Sequence, residues 1–148
     1  MQSNYKVTIG DVELVSLVDG MMANPPTDMF PGSSPEQWRT EFPDLLDGEG
    51  KIHLRLGSVA AYSKGHLILV DTGLQASDGT LLDDMQKKGV DREAVDIVVM
   101  THLHRDHVGW NLTNGRPTFP KARYLVPKVD WEYWTQPSIL NEAPQITE

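Results

Sequence analysis

Three of the five histidines in this 148-residue chain fall within six consecutive residues, in the stretch Thr101-His102-Leu103-His104-Arg105-Asp106-His107-Val108-Gly109-Trp110. Imidazole nitrogen and carboxylate oxygen are both good donors to divalent metal ions. At this composition a His-x-His-x-Asp-His arrangement has a chance expectation of roughly 0.0005 occurrences, so a loop that merely happens to be rich in histidine is the weaker reading. In an extended chain residues i and i+2 point to one side, which lets His102 and His104 reach one ion together. On a helix they would stand about 200° apart and could not. Asp106 and His107 are neighbours, and a turn there aims them at a different point. Two pairs predict two adjacent metal positions, each taking half of its donors from this stretch. Neither pair completes a tetrahedral shell.

The composition narrows what else can contribute. There is no cysteine, which excludes disulfides and thiolate ligands and leaves His, Asp and Glu as the strong donors. A hydrophobic content of 39% with 23% charged residues is that of a soluble globular domain, and the length allows one real core. A net charge of −8 argues against a general nucleic-acid or anionic-membrane surface. The longest apolar runs, such as Leu67-Ile68-Leu69-Val70, are too short to cross a bilayer. Met1 to Lys6 shows no basic region leading into an apolar stretch. The expectation is a cytoplasmic protein with a small-molecule substrate and neither nucleic-acid nor membrane partners.

The elements that must hold the cluster can be read in outline. Ile97-Val98-Val99-Met100 predicts a buried strand that runs straight into Thr101-His102, a rigid support of the kind a ligand loop needs. His66 to Val70 predicts a second buried strand, closed by Asp71-Thr72-Gly73. A carboxylate at the end of a central strand suits chemistry, and it equally suits a turn or helix cap. Upstream, Lys6 to Val18 predicts two strands around Gly10-Asp11. Val12, Leu14, Ser16 and Val18 form the alternating face of the second, and Asp19-Gly20 ends it. Residues 20–50 carry Pro25-Pro26, Pro31, Pro35 and Pro43 with Gly32, Gly48 and Gly50, and predict a long irregular loop with one helical turn over Pro35 to Thr40. Ser34 and Gln37 suit the start of that turn. The loop also holds Met21, Met22, Met29, Phe30, Trp38 and Phe42, which either pin it down, form a subunit contact or make a substrate-facing lid.

Lys51 to Leu56 and Val59 to Tyr62 predict strands, with Lys64-Gly65 a hairpin turn and His53 and His66 at surface positions rather than among the ligands. Thr80 to Lys88 predicts a helix with Leu81, Leu82 and Met85 on one face, stopped by Gly89. Arg123 to Val126 predicts a short strand, Lys128 to Trp134 a helix, and residues 136–148 a tail.

His102-x-His104-x-Asp106-His107, preceded by a strand and Asp71-Thr72-Gly73, resembles the metallo-β-lactamase superfamily of metallohydrolases. Phe119-Pro120-Lys121-Ala122-Arg123-Tyr124 with Trp131 is similar to the members near N-acyl-homoserine lactonases and organophosphate hydrolases. In many relatives a second glycine follows Gly109, where this chain has Trp110. The resemblance implies an α+β fold, the N-terminal half of an αββα sandwich with a mixed sheet and flanking helices. It implies that His102 and His104 bind a first metal and Asp106 and His107 a second. Two Zn2+ ions are expected, with Fe or Mn as substitutes. Asp71 would orient a ligand by hydrogen bond, and Asp106 would hold a metal-bound hydroxide and shuttle a proton. The implied chemistry is hydrolysis of a lactone, ester or phosphotriester by that hydroxide, formed because the metal lowers the pKa of its water to roughly 7.

The resemblance also implies a further histidine, a bridging aspartate and a last histidine from the second half of the fold. Residues 108–148 hold no histidine, and Asp130 is their one aspartate. The chain is therefore expected to be a single, incomplete domain over 1–148, completed by a missing C-terminal half or by a homodimer. Two other functions stay open: a non-catalytic metal-binding or interaction module, and a mononuclear iron sulfur dioxygenase that shares the motif.

Overall fold

The computed structural model describes residues 5–142. Its centre is a six-stranded mixed sheet in the order β1-β2-β3-β4-β5-β8, with a separate two-stranded ribbon. In chain order the strands are β1 (Lys6–Ile9), β2 (Val12–Asn24), β3 (Ile52–Ser63), β4 (His66–Val70), β5 (Ile97–Val99), β6 (Leu112–Thr113), β7 (Arg116–Pro117) and β8 (Arg123–Leu125). The helices are α1 (Pro26–Met29), α2 (Pro35–Glu41), α3 (Leu81–Lys87), α4 (Arg105–Val108), α5 (Lys128–Trp134) and α6 (Pro137–Glu142). β1 with β2 and β3 with β4 are antiparallel, whereas β4, β5 and β8 run parallel. This is the expected α+β class with a mixed sheet and helices. No helix among the described residues is long and apolar enough to cross a membrane.

The described residues form two compact units, 5–20 with 57–142 and 21–56. In the first, β4 and β5 supply Leu67, Leu69 and Val98 to the core, and Phe119 is buried there as well. α3 adds Leu81 and Met85, four residues apart and so on one helical face. The helix stops at Gly89, whose φ of +73° is the left-handed conformation that ends helices without steric cost. β5 delivers the chain out of the core at Met100, whose N–H is taken by Leu125 O at 2.9 Å.

The second unit replaces much of the expected irregular loop with ordered structure. β2 continues to Asn24, past Asp19-Gly20, because those two residues stay extended in the sheet instead of turning. α2 has the predicted start: Ser34 Oγ accepts the Gln37 N–H, and the Gln37 side chain accepts the Ser34 N–H. Trp38 stacks between Phe30 and Phe42 with ring centres 5.4 and 5.2 Å away, and donates its Nε1–H to Ser33 Oγ. Asp47 closes the turn before β3 by accepting Glu49 N–H and Lys51 N–H, with His53 Nε2 2.7 Å from its other oxygen.

Two expectations need correction. The fully buried face of β2 is Val15, Leu17 and Asp19, the odd positions, while Val12, Leu14, Ser16 and Val18 are only half-buried. Apolar residues occur on both faces of this strand, so alternation alone did not fix its orientation. Pro137–Glu142, expected as tail, is helix α6; proline suits a first helical position, and Gln136 O accepts the N–H groups of Ile139 and Leu140. The rest of that stretch, 143–148, lies outside the described residues.

Two measurements follow. A methyl at Gly57 would stand 2.1 Å from Leu17 O, backbone of the neighbouring strand that cannot move aside. Gly57→Ala is expected to destabilise by about 1–3 kcal/mol, as overpacking does, seen as a lower urea midpoint at unchanged slope. Asp47 is held down from the usual 3.8 to about 2, first by the Lys51 N–H and then by the His53 side chain. A lowered carboxyl pKa stabilises the folded turn above 3.8, and that contribution is lost as pH falls toward 2. In His53→Ala the Asp47 carboxyl is expected to titrate closer to 3.8, read by carboxyl carbon NMR.

Candidate metal centre

Asp71 is the residue on which the cluster is assembled. It ends β4 with its N–H bonded to Val99 O at 2.9 Å, and its φ of +58° is a left-handed conformation unusual for any residue but glycine. Aspartate tolerates that conformation better than most. The side chain, in a residue only 7% exposed, is aimed at the motif. Oδ1 accepts the Thr101 N–H at 2.7 Å; Oδ2 accepts the Thr101 hydroxyl at 2.6 Å and lies 2.8 Å from His107 Nδ1.

Counting protons orients two imidazoles. An ionised carboxylate only accepts, so His107 donates from Nδ1. The Thr101 hydroxyl has one proton and gives it to Asp71. Toward His102 Nδ1, 3.0 Å away, it can then only accept, so His102 also carries its proton on Nδ1. Both rings therefore carry a proton on Nδ1, which makes Nε2 the atom each would turn to a metal. Thr101 was not singled out from the sequence, where its position between a strand and the first histidine does not distinguish it.

The three rings lie together. His102 is 3.9 Å from His107 and 4.6 Å from His104, centre to centre. His107 sits against His102, and with Asp106 beside it the four residues form one patch. Asp106 Oδ2 is 3.4 Å from His107 Nε2. Two donors about 2.0–2.1 Å from a tetrahedral zinc ion stand about 3.3 Å apart, so this separation suits a pair on one ion. Among the described residues, however, no three His, Asp or Glu side chains already form a metal cage. The donors fit in kind and in pairwise spacing and are short in number. His53 and His66 stand elsewhere, paired with Asp47 and Asp96 at 2.7 and 3.6 Å.

Backbone pairing locks the patch to the strand ends. His107 O accepts the Thr72 N–H at 2.7 Å, Gly73 O accepts the Gly109 N–H at 2.8 Å, and Thr72 O accepts the Trp110 N–H at 3.1 Å. A side chain at Gly109 would meet Leu74 C at 2.2 Å, so only glycine permits this approach. On the other flank, Asp130 Oδ1 of α5 accepts the Leu103 N–H, and Trp134 stands edge-on to His104 at 6.0 Å.

Residues 57–129, which contain Asp71 and the whole histidine cluster, match the family model described as Metallo-beta-lactamase superfamily. This segment is similar to that superfamily where it carries the candidate ligands. A mouse protein named metallo-beta-lactamase domain-containing protein 1 is 48% identical over 59 residues, 40% of this chain and 21% of its own length. The crystal structure of AbOPH, described as a hydrolase in the beta lactamase superfamily, superposes with a TM-score of 0.77 at 25% identity. It is matched over 95% of this chain and 50% of that one. AidC, described as a dizinc quorum-quenching lactonase, gives 0.82 at 24% identity over 95% of this chain and 55% of its own. The chain thus spans about half the length of these solved structures and about a fifth of the mouse protein. The mixed sheet with its helices is the metallo-beta-lactamase fold over that portion.

Asp71→Ala would leave the Thr101 N–H, the Thr101 hydroxyl and His107 Nδ1–H without their acceptor. A loss of about 1–3 kcal/mol is expected from unsatisfied donors. In the same variant the slowly exchanging His107 Nδ1 proton should disappear from the low-field proton NMR spectrum.

Proposed function

We propose that this chain supplies half of the metal site of a hydrolase acting on a lactone, ester or phosphotriester. The observation that carries the reading is the Asp71 carboxylate, hydrogen-bonded to Thr101 and His107 beside His102, which leaves ring nitrogens of the right tautomer next to Asp106. In this reading His102 and His104 hold one ion and Asp106 and His107 a second, with zinc a metal that imidazole and carboxylate donors both suit. The dizinc description of AidC supports that choice of metal. A bound ion would acidify water and polarise the oxygen of the bond under attack. The chain's own part is to fix the Nδ1 proton and the orientation of two imidazoles through Asp71 and Thr101, and to offer Asp106 as acceptor for the proton of the attacking water.

Four donors fill half of two tetrahedral shells. The rest must come from residues outside this patch, in further chain or in a second copy. A non-catalytic metal-binding or interaction module is the second reading, favoured by the absence of any histidine from residues 108–148.

Elemental analysis of the purified whole protein, paired with p-nitrophenyl ester and lactone assays, tests the proposal. Bound zinc and turnover are expected, with His102→Ala abolishing turnover and Asp71→Ala weakening zinc affinity by roughly 10- to 100-fold, as loss of a partner behind a ligand does. Bound zinc with no turnover supports the module instead. Absence of both zinc and turnover rejects the hydrolase.

A further inference from the structure

Asp19 is a buried carboxylate for which the metal-ligand reading has no use. It is 2% exposed, and no cation pairs with it among the described residues. Burying such a group is costly unless its oxygens are fully hydrogen-bonded. Oδ2 accepts the Leu74 N–H at 2.7 Å and the Gln75 N–H at 3.0 Å, and Oδ1 accepts the Leu81 N–H at 3.1 Å and the Trp110 Nε1–H at 2.7 Å.

These partners fall on both sides of the backbone pairing that locks the ligand patch. One side is the loop that starts at Asp71 and continues through Leu74 and Gln75. The other is the run from Asp106 and His107 to Trp110. Oδ2 grips the first and Oδ1 the second, so one carboxylate spans the clamp. The room for it is kept by glycine: a Cβ at Gly73 would come within 2.6 Å of Asp19 Oδ2, and one at Gly79 within 3.0 Å of Oδ1 and 3.2 Å of Trp110 Cζ2.

From this geometry we infer that Asp19, acting through Trp110, is a positioning residue for the Asp106–His107 pair. The indole N–H is the one side-chain donor among the four. It ties the exit of the four-residue helix α4 to a carboxylate that also fixes the Asp71 loop. The consequence for metal binding rests on the reading proposed above, whereas the positioning of His107 does not.

The test uses Trp110→Phe, which keeps an aromatic ring in the packed space and removes the donor, and Asp19→Asn as a second variant. In metal-free whole protein, two-dimensional 1H–15N NMR of the imidazoles reads the tautomer and the Nδ1–H exchange of each histidine. Faster exchange and shifted ring signals are expected at His107, with distinctly smaller changes at His102. A parallel Co2+ titration is expected to show one of two ions bound roughly tenfold more weakly, the other unchanged. Unaltered His107 signals in both variants overturn the inference. Equal changes at His102 and His107 together with a lowered melting temperature also overturn it, in favour of a general structural pin. A change selective for His107 in a protein that binds no Co2+ upholds the positioning role and rejects the metal reading.

Discussion

The Asp71 carboxylate has to satisfy three donors at once, and the geometry around it follows from that demand. The backbone reaches the required direction only by entering the left-handed region at φ +58°, a conformation that costs of order 1 kcal/mol for a residue with a side chain. The cost is offset by two hydrogen bonds from Thr101 and one from His107. Bonds to an ionised carboxylate are roughly twice as strong as neutral ones. Strain and hydrogen bonding thus act together: the chain bends where β4 ends so that one carboxylate can meet both ends of the histidine motif.

Around that carboxylate the packing is done mostly by backbone. Thr72, Gly73, Gly109 and Trp110 exchange main-chain hydrogen bonds across 35 or more intervening residues. Such close approach excludes a side chain at position 109, where the next carbonyl carbon would be 2.2 Å away. Main-chain pairing of this kind fixes position more tightly than side-chain packing, because it leaves few rotatable bonds between the anchor and the ligand.

Much of the site was legible because its residue types are rare and closely spaced. The histidine cluster, Asp71 at a strand end and the strand leading into His102 can all be read from composition, spacing and apolar runs. Asp19 could not be read that way. Asp-Gly after apolar residues is an ordinary turn signal, and only the observed alternation Val15, Leu17, Asp19 puts this carboxylate on the inward face. Thr101 was likewise hidden, since a threonine beside a strand carries no distinguishing signal until its hydroxyl is seen between Asp71 and His102. The order in residues 21–56 escaped because prolines mark breaks, and here the segments between them are helices of four and seven residues, too short for periodicity to show.

Helix α4 spans only Arg105–Val108. An isolated helix of that length does not form, because nucleation fixes several dihedral angles before a single hydrogen bond is made. Its shape is therefore borrowed from Thr72 and Gly73, more than thirty residues earlier in the chain. Closing so long a loop is unfavourable until the strands on either side have joined. The ligand pair therefore depends on β4 and β5 lying side by side, and an unfolded chain would offer an arriving ion flexible histidines instead of a site.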